Sequence, residues 1–385
     1  MSSRDTIVFW QNVPSIHQAP LMRTLAQHAP GPVVVITEFD LPPQREKSGW
    51  HRPDYGPATL IAAPSVAERE RLEASLAGGV HIFSGVGAYR ATTGSLLSIR
   101  SRGGALVGVY TEPWNPVSWR GWLRSLRTRM AARRLLGDVD FLLTTGPVGE
   151  RQYVRIGFPA TRVFRFGYFV DPHERVDADV TGSTEGGPIR LVFVGSVDRR
   201  KQPELLLTAL SRCERDWTLD VVGNGPLLHR AMTLANRLGI DSRVHWQGHL
   251  SNTAARDVIA AGDILVLPSR HDGWGAVVNE ALMAGTRVVV SDRCGAQDLA
   301  VSDSLSRLFD GTDVTSLTRA LSATMSYGRV GADERAARVR WAAAHLAPER
   351  GAKYLLDLVA HVRDGSPRPA PPWNSTGAGA EKTAQ

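Results

Sequence analysis

The sequence predicts an α/β protein made of two successive domains, each a doubly wound parallel sheet. Three observations carry this. Short runs rich in Val, Ile and Leu alternate with longer amphipathic stretches along the chain, the pattern of parallel strands joined by helical crossovers. A length of 385 residues exceeds what one hydrophobic core serves. Finally, residues 171–188 (DPHERVDADVTGSTEGGP) lack an apolar period and are rich in charge, Gly, Ser and Thr, as interdomain linkers are.

In the first domain, residues 1–170, strands are expected at Thr6–Trp10, Val33–Thr37, Val80–Phe83, Ala105–Tyr110 and Phe141–Thr145, with helices such as Pro20–Ala29 and Ala67–Ala77 between them. In the second, residues 189–345, strands are expected at Ile189–Val194, Thr218–Val222, Val244–Gln247, Ile264–Leu267 and Val288–Ser291. Helices begin there near Pro203, Pro226, Thr253 and Gly275. A last amphipathic helix occupies Pro348–Val362 within residues 346–365, and the tail 366–385 is too rich in Pro, Ala, Gly and Ser to be expected to pack.

Hydrophobic residues make up 43% and charged residues 22%, an ordinary globular balance. The two cysteines, Cys213 and Cys294, have no metal or redox spacing. Met1–Asp5 is polar and runs straight into the first strand, without the regions of a signal peptide. No apolar run approaches the roughly 20 residues of a spanning helix. The expectation is a cytoplasmic protein whose membrane contact, if any, is peripheral, on the inner face of the plasma membrane. A formal charge of +7 favours an anionic partner without naming one.

The most informative stretch is Leu265–Gly285. A strand ends at Pro268, a loop holds Asp272, Gly273, Trp274 and Gly275, and a helix follows from Ala276 and Val277. Such a unit offers free backbone N–H groups and a helix dipole to a phosphate. Asp272 and Glu280 are separated by seven residues, so two carboxylates can face one ligand and accept bonds from its hydroxyls. The bland alternative is an N-capping Asp with a solvated helix Glu.

This spacing resembles the signature of the family 4 glycosyltransferases, enzymes of the GT-B fold with two Rossmann-like domains facing across a cleft. In that family the first acid, usually Glu, contacts the donor hexose and the second holds the nucleotide ribose. Here Asp272 and Glu280 take those places. A second match is FVGSVDRRKQPELLLTAL, residues 193–210, which resembles the family's strand, glycine turn and basic loop. Lys201, six residues beyond Gly195, stands at the family's lysine position and can neutralise a departing diphosphate. Arg200 or Arg199 can assist it, while Ser196 replaces the Arg that the family often carries. A solvated basic turn is the alternative. The third match, residues 221–250, resembles the family's paired glycine turns. It brings Gly223 to the donor site and, by that resemblance, His249 and Leu250 to the nucleotide base.

The first domain is less well marked. His17 and Gln18, in the loop after the first strand, are acceptor-side candidates, although His17 can equally cap the following helix. Glu112 ends the fourth strand near the expected cleft, where it serves either as a base or positioning group or as a structural cap or ion-pair partner. His81, on the preceding strand, reads as structural. Residues Trp114–Arg134 interleave Trp114, Trp119 and Trp122 with Arg120, Arg124, Arg127, Arg129, Arg133 and Arg134. That composition suits either an anionic membrane surface or an ordinary surface helix. No nucleic-acid motif accompanies it.

Together the resemblance implies a hexosyltransferase that uses a nucleoside diphosphate sugar as donor substrate, with retention of configuration and no cofactor or metal. A glycan or lipid-linked acceptor of bacterial surface polysaccharide synthesis is the expected partner. Asp272, Lys201 and Glu112 are its catalytic candidates. The rivals are a nucleotide-sugar epimerase of the same shape and a non-catalytic binder of nucleotide sugars or membranes.

Overall fold

The computed structural model describes residues 3–42, 52–87, 89–114, 119–172, 187–302 and 305–374. Most of the expected linker therefore lies outside the described residues, as do 375–385 of the tail.

Two wholly parallel sheets form. The first contains β1 (Ile7–Gln11), β2 (Val33–Thr37), β3 (Thr59–Ala62), β4 (Val80–Ser84), β5 (Leu106–Thr111), β6 (Phe141–Thr145) and β7 (Val163–Phe166), in the order β3-β2-β1-β4-β5-β6-β7. The second contains β8 (Ile189–Val194), β9 (Trp217–Val222), β10 (Val244–Gly248), β11 (Ile264–Leu267), β12 (Arg287–Ser291) and β13 (Ser306–Phe309), in the order β10-β9-β8-β11-β12-β13. Helices cover both faces, so β1, β2, β6, β11 and β12 are buried along their whole length. Continuous apolar runs are what such strands require.

The order reverses between β1 and β4 and again between β8 and β11. At these switch points the loops beyond the strand ends part and leave a crevice, the usual ligand position in open α/β sheets. The segments that end β1, β4 and β5 meet such a crevice in the first domain. Those that end β8 and β11 meet one in the second.

Three strands escape the sequence pattern. β3 is half-exposed throughout, and β7 and β13 are four-residue strands that each carry an arginine. All three lie at or near sheet ends, where the demand for apolar residues is weakest.

The C-terminal helix Pro348–Asp364 crosses back and packs on Ala19–His28 of the first domain. Gly351 of the same helix lies against Phe169, where a methyl would collide with the ring. The first part of the tail does not behave as its composition predicts. Trp373 is buried against Trp274 and Phe169 and donates through Nε1 to Asp298 at 3.0 Å. Arg368 donates to the carbonyls of Thr161 and Val163 at 2.7 and 2.6 Å, over the Phe164 ring. One tryptophan and one arginine supply what the flanking prolines and alanines cannot.

The domains touch through closely packed backbone. Thr145 Oγ1 donates to the Gly273 carbonyl at 2.7 Å, and a side chain at Gly146 would collide with Gly295. Arg165, on β7, bonds both Glu150 and, across the interface, Asp298.

Candidate active site

The second-domain half of the site is built on two loops. After β8 the chain turns at Gly195 (φ 147°), and the basic loop that follows returns Lys201 over it. Gly195 takes a positive φ that a side chain would strain, and Gly223 has no room for a side chain beside the Gly195 carbonyl. The glycines of these turns are thus required by conformation and close approach. Gly223 also donates its N–H to the Gly248 carbonyl at 2.7 Å, which draws the ends of β8, β9 and β10 together. Leu250, just beyond β10, is half-buried there, while His249 is exposed.

After β11 the loop carries Asp272, and the helix Ala276–Met283 starts from Gly275 in the left-handed conformation (φ 100°). Lys201 Nζ lies 2.6 Å from Asp272 Oδ2, and Arg200 reaches the same oxygen at 3.3 Å. Burial alone would push the Asp272 carboxyl up. The Lys201 ammonium, aided by Arg200, outweighs it and holds the carboxyl below the ordinary carboxylate range. Glu280 is 8% exposed and makes no ion pair or side-chain hydrogen bond among the described residues. The solvated helix Glu and the N-capping Asp of the bland alternative are therefore both absent: Glu280 is buried, and the helix takes its cap from Gly275.

Trp274 departs from the donor-side expectation. Its indole is fully buried against Trp373 and donates to Asn279 Oδ1 at 2.7 Å, so only its backbone can face a ligand at the loop. Ala276 and Val277 are half-buried at the helix N-terminus, where backbone N–H groups are unpaired by geometry.

The first-domain half is a cleft of about 420 Å³ whose walls include Asn12, His17, Gln18, Tyr89, Glu112 and Tyr168. Gln18 occupies the cap position of its helix without a side-chain cap bond; instead its side chain accepts from Gln11 Nε2 at 2.5 Å. The His17 ring stacks on Tyr168, 6.0 Å between centroids. His81 is buried between Trp10 Nε1 and the Leu76 carbonyl; desolvation lowers its pKa to about 4, as befits a structural histidine.

Glu112 joins the two halves. Its Oε1 accepts from the Tyr168 hydroxyl at 2.6 Å, and its carboxylate abuts Gly273 so closely that a methyl there would collide with it. Among the described residues it forms neither a helix cap nor an ion pair. The carboxylate keeps contact with solvent in the cleft while protein crowds it from several sides. That crowding raises its pKa; the Tyr168 bond works against the rise, Asp272 adds to it, and Arg200 opposes it.

Of the candidates, the fold therefore gathers Lys201, Arg200, Asp272, Gly273 and Glu112 at one place, with His17 and Gln18 on the facing wall. Sequence reasoning missed Tyr168, Asn279 and His271. Tyr168 follows β7, a strand the pattern did not reveal. His271 accompanies Asp272; desolvation, the largest influence, lowers its pKa, and it bonds the Pro113 carbonyl.

Comparison with known proteins fits this geometry. The model of the family "Glycosyl transferases group 1" matches residues 179–343. Those residues form a glycosyl transferases group 1 domain. A GDP-mannose-dependent alpha-(1-6)-phosphatidylinositol monomannoside mannosyltransferase of Mycolicibacterium smegmatis is 25% identical over 244 residues, 58% of this chain and 62% of that protein. A D-inositol 3-phosphate glycosyltransferase of Corynebacterium kroppenstedtii is 30% identical over 286 residues, 62% of this chain and 59% of that one. These matches span less than two thirds of either relative. Among solved structures, Anabaena Alr3699/HepE in complex with UDP superposes with a TM-score of 0.69 at 14% identity, covering 92% of this chain and 99% of that one. The lipopolysaccharide outer core galactosyltransferase WaaB gives 0.67 at 16% identity, with 92% and 99% covered. The fold is GT-B, and the glycosyl transferases group 1 domain supplies Gly195, Lys201, Asp272 and Glu280.

The Trp- and Arg-rich stretch forms the helix Trp119–Leu135; residues 115–118 and the side chains of Trp119, Arg120 and Arg124 lie outside the described residues. Trp114 departs from the anchoring role, because it packs edge-on against Tyr153 at 5.3 Å. Trp122, Leu123, Leu126 and Met130 are exposed, by 61%, 39%, 41% and 48%, beside exposed Arg127, Arg129, Arg133 and Arg134. Positions 122, 126 and 130 follow a spacing of four, so the apolar side chains share one outward face with the arginines. No helix among the described residues is long and apolar enough to cross a membrane.

Proposed function

We propose that this chain is a glycosyltransferase that moves a hexosyl unit from a nucleoside diphosphate sugar to a hydroxyl of a glycan or lipid-linked acceptor. The observation that carries this is the meeting of Glu112 with the Gly273 loop. A carboxylate from the acceptor-side cleft stands beside the Lys201–Asp272 pair, so two substrates bound in the two halves would meet there. A nucleotide-sugar epimerase or a simple binder needs no acceptor in the first-domain cleft.

In this reading Glu280 accepts the ribose hydroxyls, the N-terminus of Ala276–Met283 and Lys201 hold the diphosphate, and Asp272 takes a hexose hydroxyl with its other oxygen. Lys201 and Arg200 supply the positive charge that the leaving diphosphate needs, so the transfer is metal-independent and uses no cofactor. In this reading the acceptor hydroxyl attacks on the face from which the diphosphate leaves, with retention of configuration, and Glu112 positions it or takes its proton. The exposed Trp122–Met130 face with its arginines fits the headgroups of an anionic bilayer. The reading is of a cytoplasmic enzyme on the inner face of the plasma membrane, in synthesis of a bacterial surface polysaccharide.

The test is incubation with a panel of nucleotide sugars and with glycan or lipid-linked acceptors, followed by mass spectrometry and anomeric NMR. One glycosylated acceptor per nucleoside diphosphate released, with the donor's anomeric configuration, is the expected result. A sugar epimerised without any acceptor, or donor binding without consumption, would replace the proposal with one of its rivals.

A further inference from the structure

We infer that Tyr168 is the positioning residue for the Glu112 carboxylate, and that it ties this carboxylate to the donor-binding helix. The inference rests on the transferase reading above and adds to it a residue that the sequence did not single out.

Tyr168 is held at both ends. Its hydroxyl donates to Glu112 Oε1 at 2.6 Å. Its backbone carbonyl accepts from Asn279 Nδ2 at 2.8 Å. Asn279 is fully buried, receives the Trp274 indole N–H through its own Oδ1, and directly precedes Glu280. A path thus runs from the donor loop through the Trp274–Asn279 and Asn279–Tyr168 hydrogen bonds, along the Tyr168 residue itself, and by its hydroxyl to Glu112. The Tyr168 ring is fixed between neighbours: His17 stacks on it and Tyr110 meets it edge-on at 6.2 Å. Glu112 has little freedom left, with one oxygen on Tyr168 and Gly273 against the carboxylate.

The groups that face Glu112 have opposed effects on its charge. Tyr168 and Arg200 favour the carboxylate, whereas Asp272 opposes it. Tyr110 lies beneath Tyr168, while His271 stands next to Asp272 and His17 lies on the Tyr168 ring. Among the groups that favour the carboxylate, Tyr168 makes the direct hydrogen bond, so removal of its hydroxyl alone should make Glu112 harder to ionise and free to rotate.

The test is Tyr168→Phe, which keeps the ring and its stacking, read against Glu112→Gln and the double variant. For Tyr168→Phe the expected result is unchanged donor affinity, kcat lower by about 10- to 100-fold through misplacement of the reacting groups, and an acid limb of the kcat/KM profile moved to higher pH. The double variant should be no slower than Glu112→Gln alone, because the two residues act as one unit. An unmoved acid limb with additive losses would overturn the inference. If the wild type transfers to no acceptor, the transferase reading fails first. The carboxyl ¹³C shift of Glu112 then tests the pairing by itself: a titration displaced upward in Tyr168→Phe supports it, and an identical titration overturns it.

Discussion

Lys201 Nζ and Asp272 Oδ2 lie 2.6 Å apart across the mouth of the donor loop, with the side chains 10% and 14% exposed. In the proposed reading the pair sets the ammonium where a diphosphate would lie and leaves Asp272 one oxygen for a hydroxyl. Replacement of Lys201 by Ala should lower kcat by about 100-fold or more, the usual cost of losing one charge-stabilising group in a dry site. Steady-state kinetics with a nucleotide sugar that the wild type uses as donor measures this.

The same pair has an acid limit. The folded Asp272 carboxyl titrates below its unfolded value because Lys201 and Arg200 outweigh its burial. Its ionised form therefore contributes stability that is complete above about pH 4 and lost as pH falls through the lower folded value. Asp272→Asn should lose stability relative to wild type at neutral pH, and the gap should narrow on acidification below about pH 4. Denaturant titrations across that range are the check.

Glu112 has the opposite sign. Crowding by protein raises its carboxyl although it keeps contact with solvent, and the Tyr168 bond and Arg200 do not cancel the rise. Stability linked to this group is complete below about pH 4 and lost as pH rises through the folded value. Glu112→Gln should therefore melt higher than wild type at neutral pH while its turnover collapses, and the two melting curves should converge in acid. A functional carboxylate kept at some expense of stability behaves this way; a purely structural one would lower the melting temperature when replaced.

Trp373 gives a prediction that the tail's composition would not suggest. It is 3% exposed and packs on Trp274, whose backbone belongs to the donor loop. Trp373→Ala should cost about 3–5 kcal/mol, the range for emptying a buried aromatic site, and should weaken donor binding through the loosened loop. Calorimetric melting and donor titration of that variant, and of a chain ended after Gly365, test both parts.

The outward face of Trp119–Leu135 offers a membrane test. Replacement of Trp122 and Leu126 by Glu should abolish sedimentation with anionic vesicles and leave donor binding unchanged. Retained sedimentation would remove that helix from the account.

Sequence and structure agree where one local feature determines the outcome. Continuous apolar runs such as VVVIT at Val33–Thr37 and ILVL at Ile264–Leu267 became strands with the expected bounds. Gly195, Gly223 and Gly275 sit at backbone approaches or positive φ angles that a side chain would spoil. Lys201 and Asp272, 71 residues apart, were both legible from their loops, yet their pairing was not, because it depends on how β8 and β11 lie side by side. Trp274 was read as facing the donor because of its neighbours in the loop; its direction follows instead from Asn279 and Trp373. Tyr168 stayed hidden for the same reason, since its partners Glu112 and Asn279 come from two different domains.

The central claim is that the loops bearing Lys201 and Asp272 bind a nucleoside diphosphate sugar with Glu280 on its ribose. Calorimetric titration of UDP-, GDP-, ADP- and dTDP-sugars into wild type and Glu280→Ala tests it most directly. Wild type should bind one nucleotide series, and Glu280→Ala should bind it about 10- to 100-fold more weakly, the worth of hydrogen bonds to a charged group, with a nearly unchanged melting temperature. Equal affinity in the two proteins, or no binding by wild type, would contradict the account.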